Sequence, residues 1–148
     1  MAAADAGAML GVLRACLDPR TRVEAEAALV GLGGRAGYCA CLLVSEGGWA
    51  GWERARGATG GQPRPPFFQT VATAPDSDPA ARHLASVALK NAISRGWRAR
   101  GAGAVPAGDR AALRGGLVDA LLTCSDAAVG AQLAAAIARA ARVDWPAE

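Results

Sequence analysis

The chain of 148 residues has few aromatic residues, a single histidine and little net charge. Aromatic residues make up only 5% of it, and no stretch alternates β-branched with polar residues, so a β-sheet fold is not expected. The longest dense apolar run, residues 38–44, is far too short to span a membrane. The N-terminus lacks the basic and apolar regions of a signal peptide.

The residues that carry chemistry are also sparse. Among the four cysteines, Cys39 and Cys41 are the only close pair, and their spacing is not a usual zinc spacing. There is no serine–histidine–aspartate set and no cluster of metal ligands or paired carboxylates. A net charge of +3 without interleaved aromatics does not favour a nucleic-acid partner. We therefore expect neither an enzyme nor a bound cofactor or metal, and neither a nucleic-acid nor a membrane partner.

What the chain does have is alanine, about a quarter of all residues, and clear helix boundaries. Asp78 and Asp126 are predicted caps that stand 48 residues apart, an interval typical of helical-pair repeats. Thr21 and Glu24 match a capping box. Apolar residues at helical spacing predict three antiparallel helix pairs. These pairs are 5–17 with 21–32, 65–75 with 78–97, and 109–123 with 125–144.

Residues 36–64 interrupt this pattern. They are glycine-rich and contain Trp49 and Trp52, and only their first part has the composition of a short helix. We interpret 36–64 as a loop or disordered insertion between the first and second pairs. The predicted fold is all-α, a HEAT-like α–α superhelix of three stacked pairs.

The order of these residues resembles the N-terminal domain of the importin-β (karyopherin) family. The most specific part is Leu89-Lys90-Asn91-x-Ile93 followed by Trp97, and the Ile-Ser-Arg-x-Trp-Arg run is most similar to importin-eleven-type receptors. The stretches that carry the resemblance are "RVEAEAALVGL", "FFQTVATAPDSDPAARHLASVALKNAISRGW", "DRAALRGGLVDALL" and "VGAQLAAAIARAARVDWP".

The resemblance implies that residues 1–148 are an importin-β N-terminal HEAT-repeat domain. It implies binding of the small GTPase Ran in its GTP form along the second, inner helices, and a protein that shuttles between nucleus and cytoplasm through the nuclear envelope. Cargo and nucleoporin contacts are expected only of a full-length chain. Since relatives continue for many more repeats, we expect a fragment of a longer solenoid. A generic helical-repeat adaptor without Ran function remains the alternative.

Within this frame, Glu26, Lys90 and Arg95 are the candidate partner contacts. The remaining motif residues have structural interpretations. Arg82 pairs with Asp78 one turn earlier or with an acid of the neighbouring repeat. Asn91 bonds carbonyls of a neighbouring turn. The apolar members Leu89, Ile93 and Trp97 pack in the core, with Trp97 closing the helix end.

Overall fold

The structure, a computed structural model, describes residues 6–33, 35–43, 78–101 and 103–144. Within these ranges the chain is all-helical, with no strand, in agreement with the predicted HEAT-like class. The predicted helix 65–75 lies outside the described residues. The helices are α1 (Ala6–Leu17), α2 (Arg22–Leu32), α3 (Tyr38–Leu43), α4 (Pro79–Gly96), α5 (Ala107–Thr123) and α6 (Ala127–Asp144).

Helices α1 and α2 form the first pair, joined by a tight turn. The Asp18 carboxylate accepts a hydrogen bond from the Arg20 amide at 2.9 Å, which closes the turn. The predicted capping box is wrong, because the Thr21 side chain caps no amide of α2. Its hydroxyl instead donates to the Ala15 carbonyl at 2.8 Å and so satisfies a free acceptor at the end of α1.

The caps predicted for the two later second helices are present. The Asp78 carboxylate accepts a hydrogen bond at 3.1 Å from an amide in the first turn of α4, where Pro79 occupies the first position. The Asp126 carboxylate accepts from the amides of Ala128 at 2.9 Å and Val129 at 3.2 Å at the start of α6. Both helices therefore begin where short acidic turns place them in the sequence.

Helices α4 and α6 pack along most of their lengths and form the main core. Their shared face is rich in alanine, and small side chains let the two backbones approach closely. The buried residues on this side of the molecule are Ala81, Ala85, Leu89 and Ile93 of α4, and Val129, Leu133, Ala136 and Ala140 of α6.

Helix α3 also lies in the core, within the 36–64 segment predicted to be a loop or insertion. Cys39 and Leu42 are completely buried and Tyr38 is nearly so. The helix packs on α4 and α5 and touches α1, which is the place that the first helix of a second pair would occupy. The short helix that the composition of the first part of 36–64 indicated is therefore present, and its burial in the core is a feature that the sequence did not indicate. Residues 44–64 lie outside the described residues.

After α4, the backbone of residues 103–105 passes close to Gly96, at the end of that helix. The Gly96 carbonyl accepts a hydrogen bond from the Val105 amide at 3.0 Å, and Val105 is buried. A Cβ atom at position 96 would lie 2.7 Å from the Gly103 carbonyl oxygen. The connection between α4 and α5 is thus held against the end of α4.

Candidate partner-binding surface

Helix α2 leaves much of its apolar surface uncovered. Ala25 is the residue of α2 that is buried in the described structure, whereas Val23 is 80% exposed and Val30 67% exposed. Val30 follows Val23 by seven positions, so the two valines lie on one face two turns apart, with the exposed Ala27 between them. We call Val23, Ala27 and Val30 the α2 stripe. It is an apolar surface on a second helix that a partner can cover.

A groove of about 250 Å³ lies between α2 and α4. Tyr38 of α3 lines it, and burial raises the pKa of this tyrosine to about 12 although the nearby Arg95 opposes the shift. The tyrosine hydroxyl is therefore neutral at physiological pH. The other lining residues used below are the apolar Leu29, Val30, Ala88 and Ala92 and the polar Asn91 and Arg95.

Glu26 stands on the same face of α2 as Val30, one turn before it. Its carboxylate accepts a hydrogen bond from Arg22 Nε at 2.7 Å, which raises the pKa of the arginine. Both side chains are more than half exposed, so this pair contributes little to stability. Glu26 was predicted to meet a basic partner, and its local arginine leaves it accessible for that contact.

Lys90 and Arg95 were predicted as partner contacts together, but they lie on different sides of α4. Arg95 lines the groove beside α2, together with Asn91. Lys90 falls at helical spacing on the side of Ser94 and Trp97, which faces α6. The structure thus places Arg95 in the groove beside α2 and Lys90 on the other side of α4, while Glu26 lies on α2 one turn before the groove residue Val30.

The structural motif residues of α4 divide into a buried and an open group. Leu89 is 0% exposed and Ile93 1% exposed, and both belong to the core. Asn91 is half-buried, and its side chain makes no hydrogen bond to any described residue. The expected bond from Asn91 to a neighbouring turn is thus absent from the described structure, because the residue faces the open groove and not a packed helix.

Arg82 links two neighbouring pairs. Its guanidinium lies 3.7 Å from the Asp126 carboxylate, so the structure contains the second of the two predicted pairings, the one with an acid of the next repeat. The pKa of Asp126 is lowered, first by its hydrogen bond from the Val129 amide and less by the charge of Arg82. One carboxylate therefore both caps α6 and receives a cation from α4.

Trp97 is 3% exposed and belongs to a polar network that joins the C-terminal ends of α4 and α6 to the middle of α5. Its indole Nε1 donates to the Asp144 carboxylate at 3.1 Å. Arg114 of α5 donates to the same carboxylate at 2.7 and 3.0 Å and lies 5.5 Å from the centre of the Trp97 ring. These hydrogen bonds, with Arg114 first, lower the pKa of Asp144.

Sequence reasoning did not predict the side-chain hydrogen bonds made by Asp109, Arg114 and Asp144. Asp109 is 4% exposed and accepts hydrogen bonds from the amides of Gly37 at 2.9 Å and Cys39 at 3.1 Å. A usable signal for it was its spacing, since Asp109 precedes Leu113 and Leu117 at helical intervals on the apolar face of α5, and acids are almost never fully buried without a partner.

Among the residues described by the structure, no group of three or more histidine, cysteine or acidic side chains could hold a metal ion. Burial raises the pKa of the Cys16 thiol. None of the helices described is both long and apolar enough to cross a membrane. The clearest functional feature of the described part is consequently its surface, formed by the α2 stripe and the adjoining groove.

Comparison with known proteins gives one match. Residues 66–123 match the family model described as the importin-beta N-terminal domain, a region that includes all of α4 and α5. Searches of curated proteins and of solved structures found no match. The matched segment contains the Leu89 to Trp97 motif and the cap at Asp78, on which the resemblance was based. Over residues 66–123 the chain is thus similar to the importin-beta N-terminal domain, and the all-helical fold of the described residues agrees with this match.

Proposed function

We propose that this chain binds the small GTPase Ran in its GTP form through the exposed surface of its second helices, α2, α4 and α6. The observation that carries the proposal is the importin-beta N-terminal domain match at 66–123, because that domain binds Ran-GTP in members of the family. Importin-β-type proteins are nucleocytoplasmic transport receptors. The proposed biological role is therefore protein transport between cytoplasm and nucleus, including import.

The contact surface in this proposal combines apolar and charged groups. Val23 and Val30 supply exposed apolar area that a partner would remove from water. Arg95 within the α2–α4 groove and Glu26 on α2, one turn before the lining residue Val30, supply opposite charges that would fix the orientation of the partner. Lys90 adds a cation on the side of α4 that faces α6. Binding energy spread in this way gives recognition without any chemical step, so the proposal includes no catalysis and no cofactor.

The finer parts of the proposal depend on more than this chain. Cargo and nucleoporins are proposed partners only of a longer solenoid, and location at the nuclear envelope follows from that transport role. The importin-eleven-type subgroup remains a prediction based on the Ile93 to Arg98 run. Neither nucleic acid nor a membrane is a partner in this proposal.

A pull-down with Ran locked in its two nucleotide states tests the proposal directly. We expect the GTP form to be retained and the GDP form to be lost. The alternative, a helical-repeat adaptor without Ran function, predicts equal or absent retention of both forms. Circular dichroism on the same preparation must show the helical content of the structure, so that lack of binding by a folded chain removes the Ran assignment.

Charge-reversal and apolar variants localise the contact. Arg95→Glu and Val30→Asp both alter the groove at exposed positions and should weaken Ran-GTP binding by about tenfold or more each. Arg14→Glu is the matched control, since Arg14 is exposed on α1 and lines neither the α2–α4 groove nor the groove between α4 and α6. Equal losses for Arg95→Glu and Arg14→Glu would assign the binding to net charge and not to this surface.

A further inference from the structure

A second groove lies on the opposite side of α4, between the C-terminal ends of α4 and α6, and has a volume of about 260 Å³. Its apolar part consists of Ile93 and Trp97, both buried, and the half-buried Val143. Its exposed part carries three arginines, Arg98, Arg139 and Arg142. We call this the arginine groove.

The positive charge of the arginine groove is uncompensated within the described structure. None of its three arginines forms an ion pair with a described residue, and no acidic side chain lines it. Asp144 follows Val143 directly, but its carboxylate is bonded to Arg114 and to the Trp97 indole nitrogen. Three like charges beside an apolar surface favour an anion that has an apolar part.

We propose that the arginine groove binds an acidic segment of a partner protein, in which carboxylate side chains flank one apolar side chain. The apolar side chain would lie against the half-buried Val143, and the carboxylates would accept hydrogen bonds from the planar, forked donors of the arginines. A volume of about 260 Å³ is below the usual range of small-molecule pockets but accommodates one or two side chains.

A protein segment fits the groove better than a nucleic acid does. Binding of single-stranded nucleic acid needs aromatic faces on which bases stack, and Trp97, the aromatic residue of the groove, is only 3% exposed. The net charge of the chain, +3, is also too small for a strong phosphate-driven interaction. The arginine groove differs from the α2–α4 groove in position and charge, and its occupant can be tested with peptides and without any GTPase, so the inference can fail separately from the Ran proposal.

Fluorescence anisotropy with labelled peptides and the complete 148-residue chain provides the test. The probe is a leucine flanked by glutamates, and the comparison peptides replace the glutamates by glutamines or the leucine by serine. We expect the acidic, leucine-containing peptide to bind more tightly than either, with an affinity that falls as salt rises. No binding of the probe to the folded chain, or equal binding of the glutamine peptide, would overturn the proposal.

Three variants test whether the peptide binds in the arginine groove. R139Q/R142Q removes two groove arginines and should weaken binding of the acidic peptide by about tenfold. R14Q/R35Q brings the net charge from +3 to the same +1 through exposed residues elsewhere and should leave the affinity unchanged. Ser94→Tyr keeps every arginine but fills the groove at an exposed lining position, and it should also abolish most of the binding.

Each result decides between stated possibilities. Equal losses for R139Q/R142Q and R14Q/R35Q, or full binding by Ser94→Tyr, would show diffuse attraction to a positive surface and would refute a groove site. Tighter binding of single-stranded RNA than of the acidic peptide, lost in R139Q/R142Q, would assign the groove to nucleic acid. Because no GTPase is present in these measurements, their failure is separate from failure of the Ran proposal.

Discussion

The carboxylate of Asp109 reaches across the core to the backbone amide of Cys39, 70 residues away in the sequence, at 3.1 Å. Its other oxygen accepts a hydrogen bond from the Gly37 amide at 2.9 Å. Both amides lie at the start of α3, where the free backbone donors of a helix need acceptors. One side chain of α5 thus supplies the N-terminal acceptors that the sequence around α3 lacks.

We predict that Asp109→Ala lowers the free energy of unfolding by about 2–4 kcal/mol, because two amide donors would remain buried without their acceptor. Urea unfolding followed by circular dichroism measures the change. Asp119→Ala is the matched control, since Asp119 is exposed on the same helix and its carboxylate accepts no hydrogen bond from the described residues. The control should stay within about 0.5 kcal/mol. Similar values for both variants would contradict a role of Asp109 in holding α3.

Trp97 combines packing with one hydrogen bond, and two substitutions separate these contributions. Trp97→Ala should cost about 3–5 kcal/mol, because it removes a buried ring. Trp97→Phe keeps most of the ring but loses the indole donor to Asp144, and it should cost about 1–2 kcal/mol. Denaturant unfolding checks both. A cost for Trp97→Phe as large as that for Trp97→Ala would mean that the hydrogen bond dominates, contrary to this expectation.

The lowered pKa values of Asp126 and Asp144 predict loss of stability in acid. Since each carboxyl has a lower pKa in the folded than in the unfolded chain, its contribution is complete above the ordinary carboxyl pKa. That contribution is lost as the pH falls below about 4 toward the folded value. Unfolding measured from pH 6 downward should therefore show a decline that Asp144→Asn makes shallower. The control Asp119→Asn should retain the full slope.

The sequence predicted the helices whose ends carry local signals. Asp78 with Pro79 and Asp126 each supply a side-chain acceptor or a fixed dihedral within a few residues of the helix start, so their effect can be inferred from neighbours alone. Helix α3 has no such signal. Its N-terminal acceptor is Asp109, and a contact over 70 residues becomes visible only when the chain is folded.

The same distinction applies to the candidate site. That Glu26 and Arg95 belong to exposed parts of second helices followed from helical periodicity. That Arg95 lines the α2–α4 groove, and that Glu26 and Lys90 do not, depends on how far α2 stands from α4. Packing distance between helices is set by many side chains together, and no local pattern encodes it.

Substitution by alanine should have opposite effects on stability at Gly96 and at Gly115. A Cβ at position 96 would meet the Gly103 carbonyl oxygen at 2.7 Å, so Gly96→Ala should destabilise the fold by about 1–3 kcal/mol. At Gly115 of α5 no atom lies within 4 Å of the added Cβ, so Gly115→Ala should stabilise by about 0.5–1 kcal/mol through helix propensity. Thermal unfolding distinguishes the two. Stabilisation by Gly96→Ala would show that the connection after α4 can move away freely.

Substitution of Asn91 tests most directly whether this residue has a structural role or a binding role. Since its side chain is half-buried, faces the α2–α4 groove and makes no hydrogen bond to a described residue, Asn91→Leu should change the free energy of unfolding by less than about 0.5 kcal/mol. Its neighbour Leu89 is 0% exposed, and Leu89→Ala should cost about 2–5 kcal/mol under the same conditions.

The Ran-GTP pull-down completes the comparison for Asn91→Leu. If the groove is a contact surface, a stably folded Asn91→Leu chain should show altered retention of Ran-GTP, because the amide is replaced at the contact. A loss of several kcal/mol of stability in Asn91→Leu would instead show that the amide bonds to a part of the protein outside the described residues. The residue would then tie repeats together, as the sequence suggested, and the groove would have to be tested through Arg95 and Val30 alone.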